Sequence, residues 1–259
     1  MRLGPVLPFG ALLAVERNAP LDAANAPGLV PRASSVPFGS IITHCTVPGK
    51  VALTFDDGPY WHTPHILDLL DQNGAKATFF INGDNWITGI DDPSQPWPEI
   101  LRRIVDSGHQ LGSHTWAHRD MSAADSTTRS SQMQQLDHAI ANVVGKTPTY
   151  FRPPYGSCNA ACLADMASMG YHVINFDLDT KDYENRTPDL IGNSMSLFAD
   201  AIGAGGPSDS FLVLAHDVHE QTAVSLVPYM LDKIKQKGYQ AVTVGECLGD
   251  APANWYRSG

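Results

Sequence analysis

Two adjacent carboxylates, Asp56 and Asp57, follow the apolar run Val51-Ala52-Leu53 in the stretch TFDDGP. Two histidines four residues apart, His114 and His118, follow a second short apolar segment in SHTWAH. On a helical turn that spacing puts both imidazoles on one side, as in known zinc motifs. Alone, the pair reads as readily as two satisfied or surface histidines. A carboxylate from TFDDGP would complete a His2Asp set. Three protein ligands leave the fourth tetrahedral position open, which is the arrangement of a catalytic zinc site and not of a structural one. A metal held there makes water a nucleophile near neutral pH. The other carboxylate is then free to act as a base. Successive side chains on a strand point to opposite faces, so the two acids are expected to reach different partners.

Further ionisable residues follow other apolar runs. Arg152 opens RPPYG, which carries Tyr155, and Asp177, Asp179, Asp182 and Tyr183 follow residues 172–176. His216 and Asp217 follow FLVLA, which contains Leu214. The elements that must position these groups alternate in type. Apolar runs predict strands at 51–55, 77–81, 110–113, 149–152, 172–176, 211–215 and 240–244. Helical periodicity predicts helices at 63–73, 98–107, 123–144, 159–168, 188–201 and 223–237, most of them stopped by a glycine. Such alternation implies a parallel sheet, either doubly wound or closed toward a barrel. In both, chemistry gathers at the C-terminal ends of the strands, and five of these seven strands end in ionisable groups.

The chain of 259 residues suits one α/β barrel domain, with 43% hydrophobic and 17% charged residues. A net charge of -10 with no basic patch argues against a nucleic-acid partner. No run of about 18 apolar residues is present to span a membrane. Residues 1–40 read as a leader or processed flexible segment, 41–250 as the body and 251–259 as a tail. Four cysteines allow three pairings, or four free thiols. A Cys45–Cys247 bond would tie the two ends of the body, and Cys158–Cys162 would be a local clip; these two bonds are the expectation. Asn185-Arg186-Thr187 is a glycosylation sequon. Sequon, even cysteine count and leader together point to secretion or the cell wall. Trp86, Trp97 and Trp116 have faces suited to sugar rings, and the Gly/Asp/Pro-rich loop 82–97 falls at the active end; for Trp86 and Trp97 burial is an equal reading.

TFDDGP, SHTWAH, RPPYG, the Asp182-Tyr183 pair and LAH, in this order, resemble the polysaccharide deacetylases of carbohydrate esterase family four, most closely the fungal chitin deacetylases. The resemblance spans about residues 45–247. It implies an α/β distorted (β/α)7 barrel, a single domain and a monomer. It implies one divalent metal, zinc first and cobalt second, held by Asp57, His114 and His118. By the same resemblance Asp56 is the base, oriented by Arg152, and the Tyr155 backbone N–H joins in stabilising the oxyanion. His216 is the acid, held charged by Asp182, while Leu214 and Tyr183 line the pocket; Trp86 and Trp116, by their aromatic faces and not by the resemblance, are the further substrate contacts expected. The family often has Trp where this chain has Tyr183, which leaves the chemistry intact and the subsites open. The implied activity is removal of N-acetyl groups from chitin or chito-oligosaccharides. The alternatives within the family are O-deacetylation of acetyl-xylan and N-deacetylation of peptidoglycan. A carbohydrate-binding protein that kept only the fold would lack one of Asp56, Asp57, His114, His118 or His216, and all are present.

Overall fold

A computed structural model describes residues 36–258, together with residues 1, 2 and 4. The chain divides into Met1–Arg32 and Ala33–Gly259, and the structure described below belongs to the second unit. The expected leader, 1–40, lies outside the described residues except at 1, 2, 4 and 36–40. Residues 36–40 pack on the body: Val36 is buried, Phe38 stacks on His172 and the Gly39 N–H donates to the Tyr171 carbonyl at 2.9 Å.

The described strands, in chain order, are β1 (Ile41–Ile42), β2 (Lys50–Asp56), β3 (Thr78–Ile81), β4 (Gln110–Ser113), β5 (Lys146–Pro148), β6 (Tyr150–Phe151), β7 (His172–Ile174), β8 (Leu178–Asp179), β9 (Phe211–His216), β10 (Gln240–Val242) and β11 (Tyr256–Ser258). The helices are α1 (Thr63–Gln72), α2 (Trp97–Asp106), α3 (Ser126–Val144), α4 (Ala160–Ser168), α5 (Ile191–Ala204), α6 (Val227–Lys237) and α7 (Val244–Cys247). Seven strands stand where the apolar runs predicted them; β1, β5, β8 and β11 are additional. α3 begins at Ser126 and not at 123, because the Asp125 side chain accepts the Thr128 N–H at 2.7 Å and caps the helix. The expected tail also takes part in the fold: β11 pairs antiparallel with β5, and Trp255 is buried.

The main sheet is parallel and runs β1-β7-β6-β4-β3-β2-β9-β8, curled into a half-barrel with its helices outside. β2 is its axis. It pairs with β9 along 51–56; on its other side, its first half pairs with β10 and its second half with β3. A parallel strand with sheet on both flanks must be apolar on both faces, and every residue of β2 after Lys50 is buried.

Period-two alternation sorts the two faces. Val51, Leu53 and Phe55 pack with Val213, Ala215, Phe79 and the helices in the largest core cluster. Ala52, Phe80, Leu212 and Ile174 form a second cluster on the inner face. Full burial of side chains such as Leu53 and Phe55 contributes roughly 1.5–3 kcal/mol each. Thr54 and Asp56 share the register of Ala52, and Leu214 and His216 that of Leu212. Alternation therefore delivers polar groups to the inner face at the top of β2 and β9.

Candidate active site

The described non-glycine residues of the body with positive φ are Asp57 (76°), Thr115 (72°), His118 (50°), Tyr155 (59°) and Lys181 (53°). All five lie just beyond strand ends at one rim of the sheet. Left-handed backbone costs roughly 1–3 kcal/mol at a non-glycine residue and persists where surrounding structure enforces it. At Asp57 it has a visible result. Strict alternation would send Asp57 to the helix side, opposite Asp56. The turn at Asp57 instead brings both carboxylates to one place: Asp56 Oδ2 is 3.8 Å and Asp57 Oδ1 3.6 Å from His114 Nε2. The expectation of opposite faces is corrected here.

His118 Nε2 lies 3.3 Å from the same Asp57 oxygen. The ligand atoms of Asp57, His114 and His118 all fall within 4.8 Å of one another, and no other such group of three occurs among the described residues. Two observations fit a metal. Asp57 Oδ1 is buried without a hydrogen-bond partner, which costs about 1–3 kcal/mol unless something else satisfies it. His114 Nδ1 sits 2.7 Å from the Arg152 carbonyl, so Nδ1 carries the proton and Nε2 presents its lone pair to the cluster. Burial first, and the nearby His114 second, lower the His118 pKa and favour the neutral, ligating form.

Asp56 is nearly fully buried and tied on one side only. Its Oδ1 accepts from an Arg152 guanidinium nitrogen at 2.9 Å. The same nitrogen donates to Thr54 Oγ1, and the other terminal nitrogen to the Asn175 carbonyl. Arg152 is itself buried and lies over the Phe80 ring. The pair leaves Asp56 Oδ2 facing the histidines.

On β9, His216 Nδ1 pairs with Asp182 Oδ1 at 2.8 Å. The second Asp182 oxygen accepts the His216 backbone N–H at 2.7 Å and the Thr222 hydroxyl at 2.7 Å. Burial lowers the imidazole pKa, but Asp182 outweighs it and the result is a rise to about 9. Burial raises Asp182, and the charge and hydrogen bonds of His216 outweigh that and hold it below its ordinary value.

Asp56, Asp57, His114, His118, Arg152, Tyr155, Tyr183, Leu214 and His216 line one cavity of about 430 Å3. Tyr155 is 73% exposed at its edge and meets the His118 ring at 4.7 Å. The Tyr183 hydroxyl donates to Asp179 at 3.0 Å and its ring stands edge-on to His216. The Trp86 indole N–H points at Asp57 Oδ2, 3.3 Å away. Trp116 is not brought to the cavity: its ring fills the space beside Gly83 and packs partly against the core. Phe176, which sequence reasoning missed, lines the cavity; its place just past a strand end was the available signal. Asp217 was also missed as a contributor. It is fully buried, accepts the Thr63 hydroxyl at 2.5 Å and would lie 2.2 Å from a Cβ at position 58, so TFDDGP requires its glycine. Burial raises Asp217 to about 7.

Both expected disulfides are formed, Cys45–Cys247 and Cys158–Cys162. Asn185 is a buried residue whose side-chain nitrogen donates to the Lys181 carbonyl and to Ser194 Oγ, at 3.0 and 3.1 Å. No described helix is long and apolar enough to cross a membrane.

Known proteins are similar to this chain in sequence and fold. The polysaccharide deacetylase family profile matches residues 43–174. A chitin deacetylase from Colletotrichum lindemuthianum is 47% identical over 251 residues, covering 96% of this chain and 99% of that one. A chitin deacetylase from Pestalotiopsis sp is 49% identical over 251 residues, covering 97% and 78%. The solved structure of the chitin deacetylase from the fungal pathogen Colletotrichum lindemuthianum superposes with a TM-score of 0.83 at 50% identity, over 86% of this chain and 98% of that one.

Proposed function

The chain belongs to the polysaccharide deacetylase family, and from that premise we propose that it hydrolyses the N-acetyl groups of chitin or chito-oligosaccharides, releasing acetate and leaving glucosamine units. The observation that carries this reading is one cavity holding a His2Asp set, a carboxylate with a free oxygen and a charged imidazole. Two relatives 47% and 49% identical over 96% and 97% of this chain are chitin deacetylases, which favours chitin over acetyl-xylan or peptidoglycan.

An amide is a weak electrophile with a poor leaving group. Its hydrolysis needs an activated water, a stabilised oxyanion and a proton for nitrogen. Asp57, His114 and His118 would hold one divalent metal, zinc first and cobalt second. When bound, such an ion acidifies water and polarises the acetyl carbonyl. Asp56 takes the proton of the attacking water at Oδ2, since Arg152 occupies Oδ1. The Tyr155 backbone N–H, set by the left-handed turn at that residue, donates to the oxyanion; one such donor is worth about 3 kcal/mol. His216, held charged by Asp182, protonates the departing amine at Nε2. Acid and base each supply roughly 10²–10⁴-fold. Leu214 walls the space beside His216 and would receive the acetyl methyl. Tyr183 and Trp86 border the sugar. The chain acts as a monomer, and two disulfides in a body without a membrane-spanning helix suit a secreted or wall-associated enzyme.

The test is acetate release after chelation and restoration of zinc or cobalt, with chitin oligomers, acetylated xylan and peptidoglycan compared. Metal-dependent release from chitin oligomers well above the other two is the expected result. Preference for xylan, or release without metal, would overturn it.

A further inference from the structure

Outside the catalytic cavity the same rim carries aromatic residues, Trp61 and Trp97 foremost, to which the chemistry above gives no part. Trp61 is 64% exposed, an unusual place for the largest side chain. Single exposed apolar residues are ordinary, but Trp61 is not single. It rests against Trp97, which is 4% exposed, with ring centroids 4.9 Å apart at 64°. Its neighbour Tyr60 stands edge-on to Trp86 at 6.0 Å, and the Trp86 indole reaches the metal-ligand candidate Asp57. Two aromatic pairs thus share this turn, one at the outer surface and one that reaches the reacting centre.

The mount is stiff. The Tyr60 N–H donates to Thr63 Oγ1 at 2.8 Å and the Thr63 N–H returns to the Tyr60 carbonyl at 3.0 Å, closing the turn that carries Trp61. Thr63 is anchored in turn to buried Asp217. A flat apolar surface held in place before binding loses little entropy when a ligand lands on it. The turn also carries Asp56 and Asp57 at its start, so the position of Trp61 is fixed relative to the reacting groups.

A cavity of about 430 Å3 lies near the lower end of small-ligand sites. A polysaccharide is far longer than that and must continue across the rim. Its pyranose rings are neutral, with apolar C–H faces that match an indole, and no charge at Trp61 is needed to receive them. We propose that Trp61, braced by Trp97, is a stacking platform for an N-acetylglucosamine ring of the same chain outside the catalytic cavity, and that it makes turnover depend on chain length. This rests on the chitin reading above.

The experiment compares Trp61→Ala and Trp61→Tyr with the unaltered zinc-loaded enzyme on the N-acetylglucosamine dimer and hexamer. For Trp61→Ala, kcat/KM on the hexamer falls about tenfold, mostly through KM, as expected for loss of one aromatic contact of roughly 1.4 kcal/mol. The dimer, whose two rings the proposal places within the cavity, is turned over as before. Trp61→Tyr, which keeps a flat ring, restores most of the hexamer rate. An unchanged hexamer-to-dimer ratio in Trp61→Ala, or an equal fall on both, would overturn the platform alone. No acetate from either oligomer with the unaltered enzyme would overturn the chitin reading, and the platform with it.

Discussion

In the mechanism proposed above, the His216–Asp182 pair sets the pH range in which the site works. Burial alone would lower the imidazole, but the Asp182 carboxylate at 2.8 Å outweighs it and carries the pKa to about 9. The charged form is the acid, so kcat/KM is expected to fall as pH rises through about 9. The stability linkage has the same sign. The folded pKa lies above the ordinary value of 6.5, so the stabilisation from this pair is whole below about 6.5 and lost as pH rises toward 9. Asp182→Asn should move the alkaline limb down by a unit or more and depress the rate at neutral pH; a pH–rate profile with an unmoved limb would remove His216 from the acid role. The reacting groups could be read from the sequence because they stand at ends of apolar runs with metal-ligand spacing. The positive φ of Asp57 could not, since residue type does not announce it. Nor could the placement of Trp116: its segment looks exposed by composition, and its ring is claimed by packing beside Gly83, remote in sequence.

The turn between β2 and α1 links the metal-ligand candidate to the strand of the acid. Thr63 Oγ1 accepts the Tyr60 N–H and donates to Asp217, which follows His216 on the chain. Thr63→Val keeps the shape and removes both bonds, leaving a fully buried carboxyl without that donor. The expected cost is about 1–3 kcal/mol in denaturant unfolding, with weaker zinc binding by competition titration, because the Asp57 turn loses its anchor. Full zinc affinity in a destabilised Thr63→Val protein would separate the turn from the metal site. Among elements, β2, β3 and β9 are legible because each carries enough consecutive apolar residues to bury both faces. β1, β5, β8 and β11 are two or three residues long and stand outside the strand–helix alternation that marks the equally short β6, β7 and β10. Such segments are strands only by virtue of a partner elsewhere, so no local pattern marks them. The start of α3 was misplaced for a related reason: one side-chain cap at Asp125 outweighs the helix propensity of the residues before it.

At the scale of the molecule, the Cys45–Cys247 bond joins residues 202 apart in sequence and restrains the unfolded chain far more than Cys158–Cys162 does. Cys45→Ser with Cys247→Ser should cost about 2–5 kcal/mol. For a domain of this size that lowers the melting temperature by roughly 5–20 °C, while acetate release at 25 °C persists because neither cysteine lines the cavity. An unchanged melting temperature would show that the bond adds nothing to stability. The strand–helix alternation is enough for a parallel sheet, but it does not separate a doubly wound from a barrel arrangement, since closure depends on curvature that periodicity does not encode. What the whole fold delivers is two neighbouring carboxylates in one site with different attachments: Asp57 with a bare oxygen beside two histidines, and Asp56 held by Arg152. Metal content measured together with acetate release for Asp56→Asn tests that division most directly. The account predicts close to one zinc per chain, with acetate release from chitin hexamer reduced at least about 100-fold. Zinc-loaded Asp56→Asn protein that turns over at the unaltered rate, or that has lost its zinc, would contradict it.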